Sequence, residues 1–178
     1  ASAHALYLLG IDRYCGQAGS YRFVAGVLTA TLVLFMVFGL FTPDVGIRIV
    51  TISLAILALS GLSAVRLWGR DQSLRSPVDV MMAAMFFVHG TFHLFRGAYS
   101  LLLERGIEDF MAASTIHAFA FIDVIVFCFA SGIGFAVLTI SSLHRSLEKQ
   151  LVDKNRLFSV LAHDLRSPFG GLVHLTDL

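Results

Sequence analysis

The fold is decided by the apolar stretch FVAGVLTATLVLFMVFGLFT, residues 23–42, which contains no charged residue. A bilayer core about 30 Å thick needs roughly 20 apolar residues to be crossed as a helix. Three further long and largely apolar stretches follow at residues 45–65, 78–103 and 116–140. Because lipid offers no partner to a free backbone amide, each stretch is predicted to be a membrane-spanning α-helix.

The composition of the whole chain points the same way. Its 178 residues are 57% hydrophobic and 14% charged, with a mean hydropathy of +0.80. An ordinary soluble domain is about 45–50% apolar and about 25% charged. These values argue against a soluble enzyme, a disordered tail and a nucleic-acid-binding protein. A disulfide framework is excluded, because Cys15 lies beside a basic segment whereas Cys128 lies within an apolar run.

The basic residues predict how the spans are oriented. They gather before the first span, between the second and third spans, and after the fourth, which are three regions on one side of the membrane. An excess of Lys and Arg marks the cytoplasmic side, so both termini are predicted to be cytoplasmic. The basic residues concerned are Arg13, Arg22, Arg66, Arg70, Arg75, Arg145, Lys149, Lys154 and Arg156.

The segment before the first span has two interpretations. Its apolar run from Ala5 to Ile11 ends at Asp12-Arg13-Tyr14, which is typical of the cytoplasmic end of an earlier span. A short interfacial helix is the alternative. The chain is accordingly divided into this segment, a four-span membrane region, a coiled-coil linker and the start of a further domain, at residues 1–22, 23–140, 141–157 and 158–178.

After residue 140 the chain becomes polar, and its apolar residues recur at alternating steps of four and three. Such a heptad seam predicts a parallel coiled coil, and therefore a homodimer. His163 lies about 200° around the helix from the nearest seam leucines and is predicted to face solvent. The seam comprises Leu147, Leu151, Lys154, Phe158, Leu161 and Leu165.

The residues around His163 resemble a known family. The segment FSVLAHDLRSPF, residues 158–169, is similar to the phosphoacceptor box of two-component sensor histidine kinases. The box has a histidine followed by an acid, an aliphatic residue, often Arg, a small polar residue and proline. Those positions are occupied by His163, Asp164, Leu165, Arg166, Ser167 and Pro168, and the resemblance covers residues 153–178.

The resemblance implies a sensor kinase of the bacterial inner membrane. His163 would be phosphorylated by ATP and pass the phosphoryl group to an aspartate of a response regulator. Asp164 would accept or orient a ring proton of the histidine, and Pro168 would bend the helix. Ser167 holds the phosphatase position, where Thr or Asn is common, so phosphatase activity stays open. ATP and Mg²⁺ would bind to a domain outside this chain, and nucleic acid is not an expected partner.

Ionisable residues also occur inside the spans, where they are costly and by default indicate function. In the third span His89, His93 and Arg96 share one helical face, and the fourth span contains His117 and Asp123. Arg96 and Asp123 both lie about 10 Å below the outer ends of their helices, counted at about 1.5 Å per residue. We therefore predict an ion pair between Arg96 and Asp123, with His93 within reach.

Several interpretations of this polar group are open. A buried network that fixes helix packing is favoured over a ligand, proton or metal site. Histidines four residues apart can bind a metal, and histidines on separate helices can ligate haem. No metal is predicted, because His89 and His93 have no cysteine or second carboxylate on their own helix. A retinal Schiff base is excluded, since the lysines, Lys149 and Lys154, lie outside the spans.

Two alternatives to a kinase therefore stay open for the whole chain. One is a membrane redox protein that binds a metal or haem, whose C-terminal helix only resembles the box. The other is a structural subunit of a membrane complex without catalysis.

Overall fold

The computed structural model describes residues 1–41, 44–72, 74–102 and 115–176; the side chains of residues 117 and 163–176 lie outside the description. Over the described residues the chain is all-helical, without strands, as predicted. A π-helical turn, Val37–Phe41, continues the second helix. The helices are α1 (Ser2–Tyr14), α2 (Tyr21–Met36), α3 (Val45–Trp68), α4 (Pro77–Leu102) and α5 (Thr115–Thr176).

Four of these helices are long and apolar enough to cross a membrane. They are α2 with its π-helical turn, α3, α4 and the part of α5 that begins at Ala118. The four predicted spans are thereby confirmed as helices. The first predicted span, residues 23–42, differs in one respect, because its last five described residues form the π-helical turn rather than α-helix.

Two of the helices begin at residues suited to that position. Asp44 precedes α3, and its side chain accepts a hydrogen bond from the amide of Ile47 at 3.0 Å. Ser76 precedes α4 and forms a capping box with Asp79: the Asp79 carboxylate accepts from the Ser76 amide at 2.6 Å, and the Ser76 hydroxyl accepts from the Asp79 amide at 3.3 Å. Pro77 opens α4, where its missing N–H costs nothing.

Helices α3 and α4 pack closely through small residues. A Cβ atom added at Gly97 would lie 3.1 Å from Cβ of Ser53, and one at Gly90 would lie 3.4 Å from Cβ of Ser60. Both serines are buried. Each pair recurs after seven residues, which keeps the contact on one face of both helices. Such stripes of small residues allow membrane helices to approach closely.

Helix α5 contacts the other helices through individual side chains. The hydroxyl of Ser131, which is fully buried, lies 3.2 Å from the hydroxyl of Tyr7 in α1. Gly134 faces Met82 of α4 so closely that a Cβ atom would collide with the thioether. Gly132, in contrast, faces open space. These contacts bring residues of α5 to the interior of the bundle.

The chain divides into two compact units, Ala1–Gly134 and Phe135–Leu178. In the second unit, the helix that contains the predicted coiled coil exposes its apolar residues. Leu147, Leu151, Phe158 and Leu161 are each about half exposed in the single chain. The helix is confirmed, whereas its pairing with a second copy stays a prediction.

Candidate intramembrane histidine–aspartate site

Three of the predicted polar residues come together between α4 and α5. Nδ1 of His89 lies 2.8 Å from Oδ2 of Asp123, and Nε2 of His93 lies 3.6 Å from the same oxygen. Both histidine side chains are buried, whereas the Asp123 side chain is 26% exposed. One carboxylate oxygen therefore faces two imidazole rings.

The positions of the histidines follow from the helical repeat. His89 and His93 are four residues apart, which places their rings on the same face of α4, one turn from each other. The ring centroids lie 4.7 Å apart, and the planes meet at 75°. The pair thus forms one side of a cleft that Asp123 closes from α5.

A further histidine, His4 in α1, belongs to this site and was not predicted. Its Nε2 lies 2.9 Å from Nε2 of His89, and the two rings are nearly parallel. His4 is buried. The signal available in the sequence was a histidine at the edge of the apolar run Ala5–Ile11, but a hydropathy pattern does not tell which helix such a residue contacts. We call His4, His89, His93 and Asp123 the histidine cluster.

Aromatic side chains hold the cluster in place. The ring of Phe127, one turn after Asp123 in α5, stacks on His89 with centroids 3.8 Å apart and planes 12° apart. The same ring stacks on His4 at 5.2 Å and meets Phe86 and Tyr7 edge to face. His89 therefore has little freedom to rotate, because its ring is packed on one side and hydrogen-bonded at its edge.

Several nitrogens of the cluster lack a hydrogen-bond partner among the described residues. They include both ring nitrogens of His93 and Nδ1 of His4. A polar group buried without a partner costs roughly 1–3 kcal/mol in proteins. Most buried polar atoms are paired for that reason, so an unpaired group calls for an explanation.

The predicted ion pair between Arg96 and Asp123 is not among the ion pairs found for the described residues. Over the described part of the chain, the ion pairs of Asp123 are those with His89 and His93. Arg96 is buried on the same face of α4, as predicted. Depth along a helix, counted from the sequence, does not fix which side chain faces the neighbouring helix.

A second polar cluster lies at the end of the bundle where the α3–α4 loop is found. Asp12 of α1 pairs with Arg66 of α3 at 3.4 Å and accepts a hydrogen bond from the Ser20 amide at 2.7 Å. Arg70 pairs with Asp79 of α4 at 3.0 Å. Both carboxylates are fully buried. We call Asp12, Arg66, Arg70 and Asp79 the arginine–aspartate cluster.

Neighbours complete this second cluster. The guanidinium of Arg70 lies 4.2 Å above the ring of Tyr14 and donates a hydrogen bond to its hydroxyl. Burial, together with the nearby charge of Asp79, raises the pKa of Tyr14. The Cys15 thiol lies 3.7 Å from the backbone oxygen of Arg66, and burial raises its pKa as well. Both groups are therefore held in their neutral forms.

The remaining predicted site residues cannot be placed in contact with others. His163, Asp164, Ser167 and Pro168 lie within the range of α5, but their side chains are outside the described residues, as is that of His117. The bend at Pro168 stays a prediction. No protein-family model, no curated protein and no solved structure matches the chain.

Proposed function

We propose that the chain is the membrane sensor region and first phosphotransfer helix of a bacterial sensor histidine kinase. The observation that carries the proposal is the segment from His163 to Pro168, which has each residue type of the phosphoacceptor box in order. A signal perceived in the membrane region would control phosphorylation of His163. ATP and Mg²⁺ would bind to a further domain of the protein.

Each residue of the box has a chemical task in this proposal. A neutral imidazole has one nitrogen with a free lone pair, and its ordinary pKa near 6.5 keeps it mostly neutral at pH 7. That nitrogen attacks the γ-phosphorus of ATP, the bond between the γ-phosphorus and the bridging oxygen breaks, and ADP leaves. The proton on the other ring nitrogen then passes to Asp164. The phosphoryl group subsequently moves to an aspartate of the response regulator.

The helix assignment supports a direct route for the signal. Helix α5 includes both the fourth apolar span and the box, without a strand or loop between them. A rotation or tilt of the span would change how the following helix packs in a dimer. We propose that this packing decides whether ATP reaches His163.

A second copy of the chain is the proposed occupant of the heptad seam. Leu147, Leu151, Phe158 and Leu161 recur at seam spacing and are half exposed in the single chain. The ammonium of Lys154 lies 5.7 Å from the ring of Phe158, so this charged residue also lies along the seam. Burial of the exposed half of each leucine against a partner contributes roughly 1 kcal/mol to the free energy of dimerisation.

The proposed orientation places both termini in the cytoplasm. Arg66 and Arg70 lie at the same end of the bundle as Asp12, and the positive-inside rule assigns that end to the cytoplasm. The box then lies on the side where ATP and a soluble response regulator are found. The bacterial inner membrane is the location that follows from the proposed kinase.

The proposal is tested by autophosphorylation of the complete protein in membranes with labelled ATP. We expect label that is stable to base and lost in acid, as a phosphorus–nitrogen bond requires. His163→Gln should abolish it. His144→Gln is the matched control, because His144 is an exposed histidine of the same helix, paired with Glu148 at 3.2 Å. Equal labelling of wild type and His163→Gln, or no labelling and no ATP-binding domain in the complete protein, would contradict the kinase.

The dimer is tested separately by disulfide crosslinking. In a chain with Cys15 and Cys128 replaced by serine, Leu151→Cys should form a crosslinked dimer on oxidation in membranes. Val152→Cys is the control, because it is equally exposed but lies off the seam. Crosslinking of Val152→Cys at the same rate would show that the seam does not hold the dimer.

A further inference from the structure

We propose that His89, His93 and Asp123 bind one divalent transition-metal ion inside the membrane region, with His4 as a positioning residue. Metal binding does not depend on kinase activity. The ion would also be the signal that controls phosphorylation of His163, and this second part rests on the proposed function. The sequence argued against a metal because α4 lacks a second kind of ligand. The structure supplies the missing carboxylate from α5.

The three ligand atoms are spaced as one ion requires. His89, His93 and Asp123 each offer one ligand atom, and the three atoms lie within 4.8 Å of one another. Ligands at about 2.0–2.1 Å from a tetrahedral ion are about 3.3 Å apart. The two distances to the carboxylate oxygen, 2.8 and 3.6 Å, lie on either side of that value. Small side-chain adjustments are therefore sufficient to enclose an ion.

The polar atoms without partners point to a ligand. His93 is fully buried, and both of its nitrogens lack a hydrogen-bond partner among the described residues. The hydrocarbon tails of a bilayer offer no hydrogen-bond partner that could satisfy them. An ion bound at Nε2 would engage the unshared electron pair that faces Asp123.

The contact between His4 and His89 fits a metal ligand. Two Nε2 atoms 2.9 Å apart share one hydrogen, so one ring donates and the other accepts. If His89 binds the ion through Nδ1, its proton is on Nε2 and is donated to His4. Metal-binding histidines commonly donate their other N–H to a second group, which fixes the tautomer and the ring orientation. The stacked ring of Phe127 fixes the plane of His89 further.

The donor set selects a class of ion. Two imidazole nitrogens and one carboxylate oxygen suit Zn²⁺, Co²⁺, Ni²⁺, Cu²⁺ or Fe²⁺, whereas Mg²⁺ and Ca²⁺ prefer oxygen ligands. The carboxylate also offsets part of the ion's charge at low dielectric. Haem held between two helices is not favoured, because Nε2 of His4 and Nε2 of His89 lie 2.9 Å apart, which leaves no space for an iron between them.

A pocket gives access to the fourth coordination position. It has a volume of about 300 Å³, lies between α4 and α5, and is bordered by His89 and Asp123 with apolar side chains around them. The Asp123 side chain, 26% exposed, is the most accessible of the three ligands. Three protein ligands with an open fourth position are typical of exchangeable rather than purely structural metal sites.

The experiment uses the purified chain in lipid nanodiscs, with an affinity tag that contains no histidine. The protein is loaded with Co²⁺ or Zn²⁺, desalted and analysed for metal per chain and for the visible spectrum of Co²⁺. We expect one ion per chain and at least tenfold weaker binding in His93→Gln and Asp123→Asn. His4→Gln should weaken binding roughly tenfold to hundredfold, as loss of a partner that orients a ligand does. His144→Gln should bind as the wild type does.

A variant that keeps a ligand separates lost coordination from lost folding. His93→Cys should retain Co²⁺ and acquire a cobalt–thiolate charge-transfer band in the near ultraviolet. Failure of the wild type to retain an ion, equal retention by all variants, or the absence of the thiolate band in a metal-loaded His93→Cys would overturn the proposal. No ATP is used, so these results are independent of whether His163 is phosphorylated.

Discussion

The histidine cluster and the arginine–aspartate cluster are both buried, but their polar atoms are paired to different degrees. In the arginine–aspartate cluster each carboxylate faces a guanidinium and also accepts a backbone amide, from Ser20 or from Ser76, although its Oδ1 atom has no hydrogen bond among the described residues. In the histidine cluster two imidazoles share one carboxylate, the third contacts His89, and both nitrogens of His93 lack partners among the described residues. The difference separates groups that fix the packing from groups that can receive a ligand.

The largest effect is expected in the arginine–aspartate cluster. Asp79→Asn removes the charge that pairs with Arg70 and weakens the capping box at the start of α4. Removing one partner of a buried ion pair costs about 3–5 kcal/mol. The free energy of unfolding, measured with denaturant in micelles, should fall by about that amount.

The control for this substitution is Asp153→Asn, which changes an exposed carboxylate of α5. It should leave the free energy of unfolding within about 0.5 kcal/mol of the wild type. A loss of less than about 1 kcal/mol in Asp79→Asn would mean that the arginine–aspartate cluster does not hold the helices together. The two clusters would then not differ in the way described above.

The next largest effect is expected in the histidine cluster, where metal binding distinguishes it from the arginine–aspartate cluster. Zn²⁺ at a hundred times its dissociation constant should raise the free energy of unfolding of the wild type by about 2.7 kcal/mol. Asp123→Asn should be stabilised much less, because a ligand is lost. Without metal the same variant should be destabilised far less than Asp79→Asn, since the Asp123 side chain is 26% exposed whereas that of Asp79 is fully buried. Equal stabilisation of both proteins would place the ion elsewhere.

A smaller effect is expected from the α3–α4 contact that positions both clusters. Gly97→Ala brings a Cβ atom to 3.1 Å from Cβ of Ser53, so the helices must separate slightly. Overpacking costs about 1–3 kcal/mol, partly offset by the helix propensity of alanine, which is about 1 kcal/mol better than that of glycine. A net loss of about 1 kcal/mol should be found by denaturant unfolding.

The matched variant is Gly61→Ala in α3, where a new Cβ atom meets nothing within 4 Å. It should be neutral or slightly stabilising. Gly97→Ala should also weaken Co²⁺ binding, because Gly97 lies one turn from His93 on α4. If both alanine variants have the same stability, the small-residue contact is not a tight one.

The smallest effect is a change in reactivity at the edge of the arginine–aspartate cluster. Burial raises the pKa of Cys15 above its ordinary value of 9.0, so less thiolate is present at pH 8 in the folded protein than in the unfolded one. Alkylation by iodoacetamide in a Cys128→Ser background should therefore be slower in the folded state. The pH at half-maximal rate should be higher as well.

The raised pKa of Cys15 also makes the free energy of unfolding depend on pH. Because the folded pKa is raised, the contribution of Cys15 is complete below pH 9 and is lost as the pH rises through the folded pKa. Opening the cluster with Asp12→Asn should accelerate alkylation at constant pH. An unchanged rate in that variant would show that the cluster does not cover the thiol.

The spans could be predicted from the sequence because each apolar stretch is long enough to require a membrane helix, whatever the helix propensities of its individual residues. The sequence also placed His89, His93 and Asp123 in one polar group, since helical spacing and depth depend on counting residues. It did not find His4, nor the pairs between Asp12 and Arg66 and between Arg70 and Asp79. Those contacts depend on how helices distant in sequence rotate against each other. The arginines were instead used to predict the orientation of the spans.

The exposure of α2 has a consequence for which substitutions the chain tolerates. Over its described residues Tyr21–Met36, Val24 is the single buried one. Leu, Ile, Val and Phe are nearly equivalent where a helix side faces lipid tails, so exchanges among them along α2 should be neutral. In α4 each of His89, Gly90, His93 and Gly97 has a specific neighbour. In a library of random variants selected for folding, we therefore expect α2 to accept any apolar residue at most positions. At His89, Gly90, His93 and Gly97 of α4 we expect the original residue to be retained.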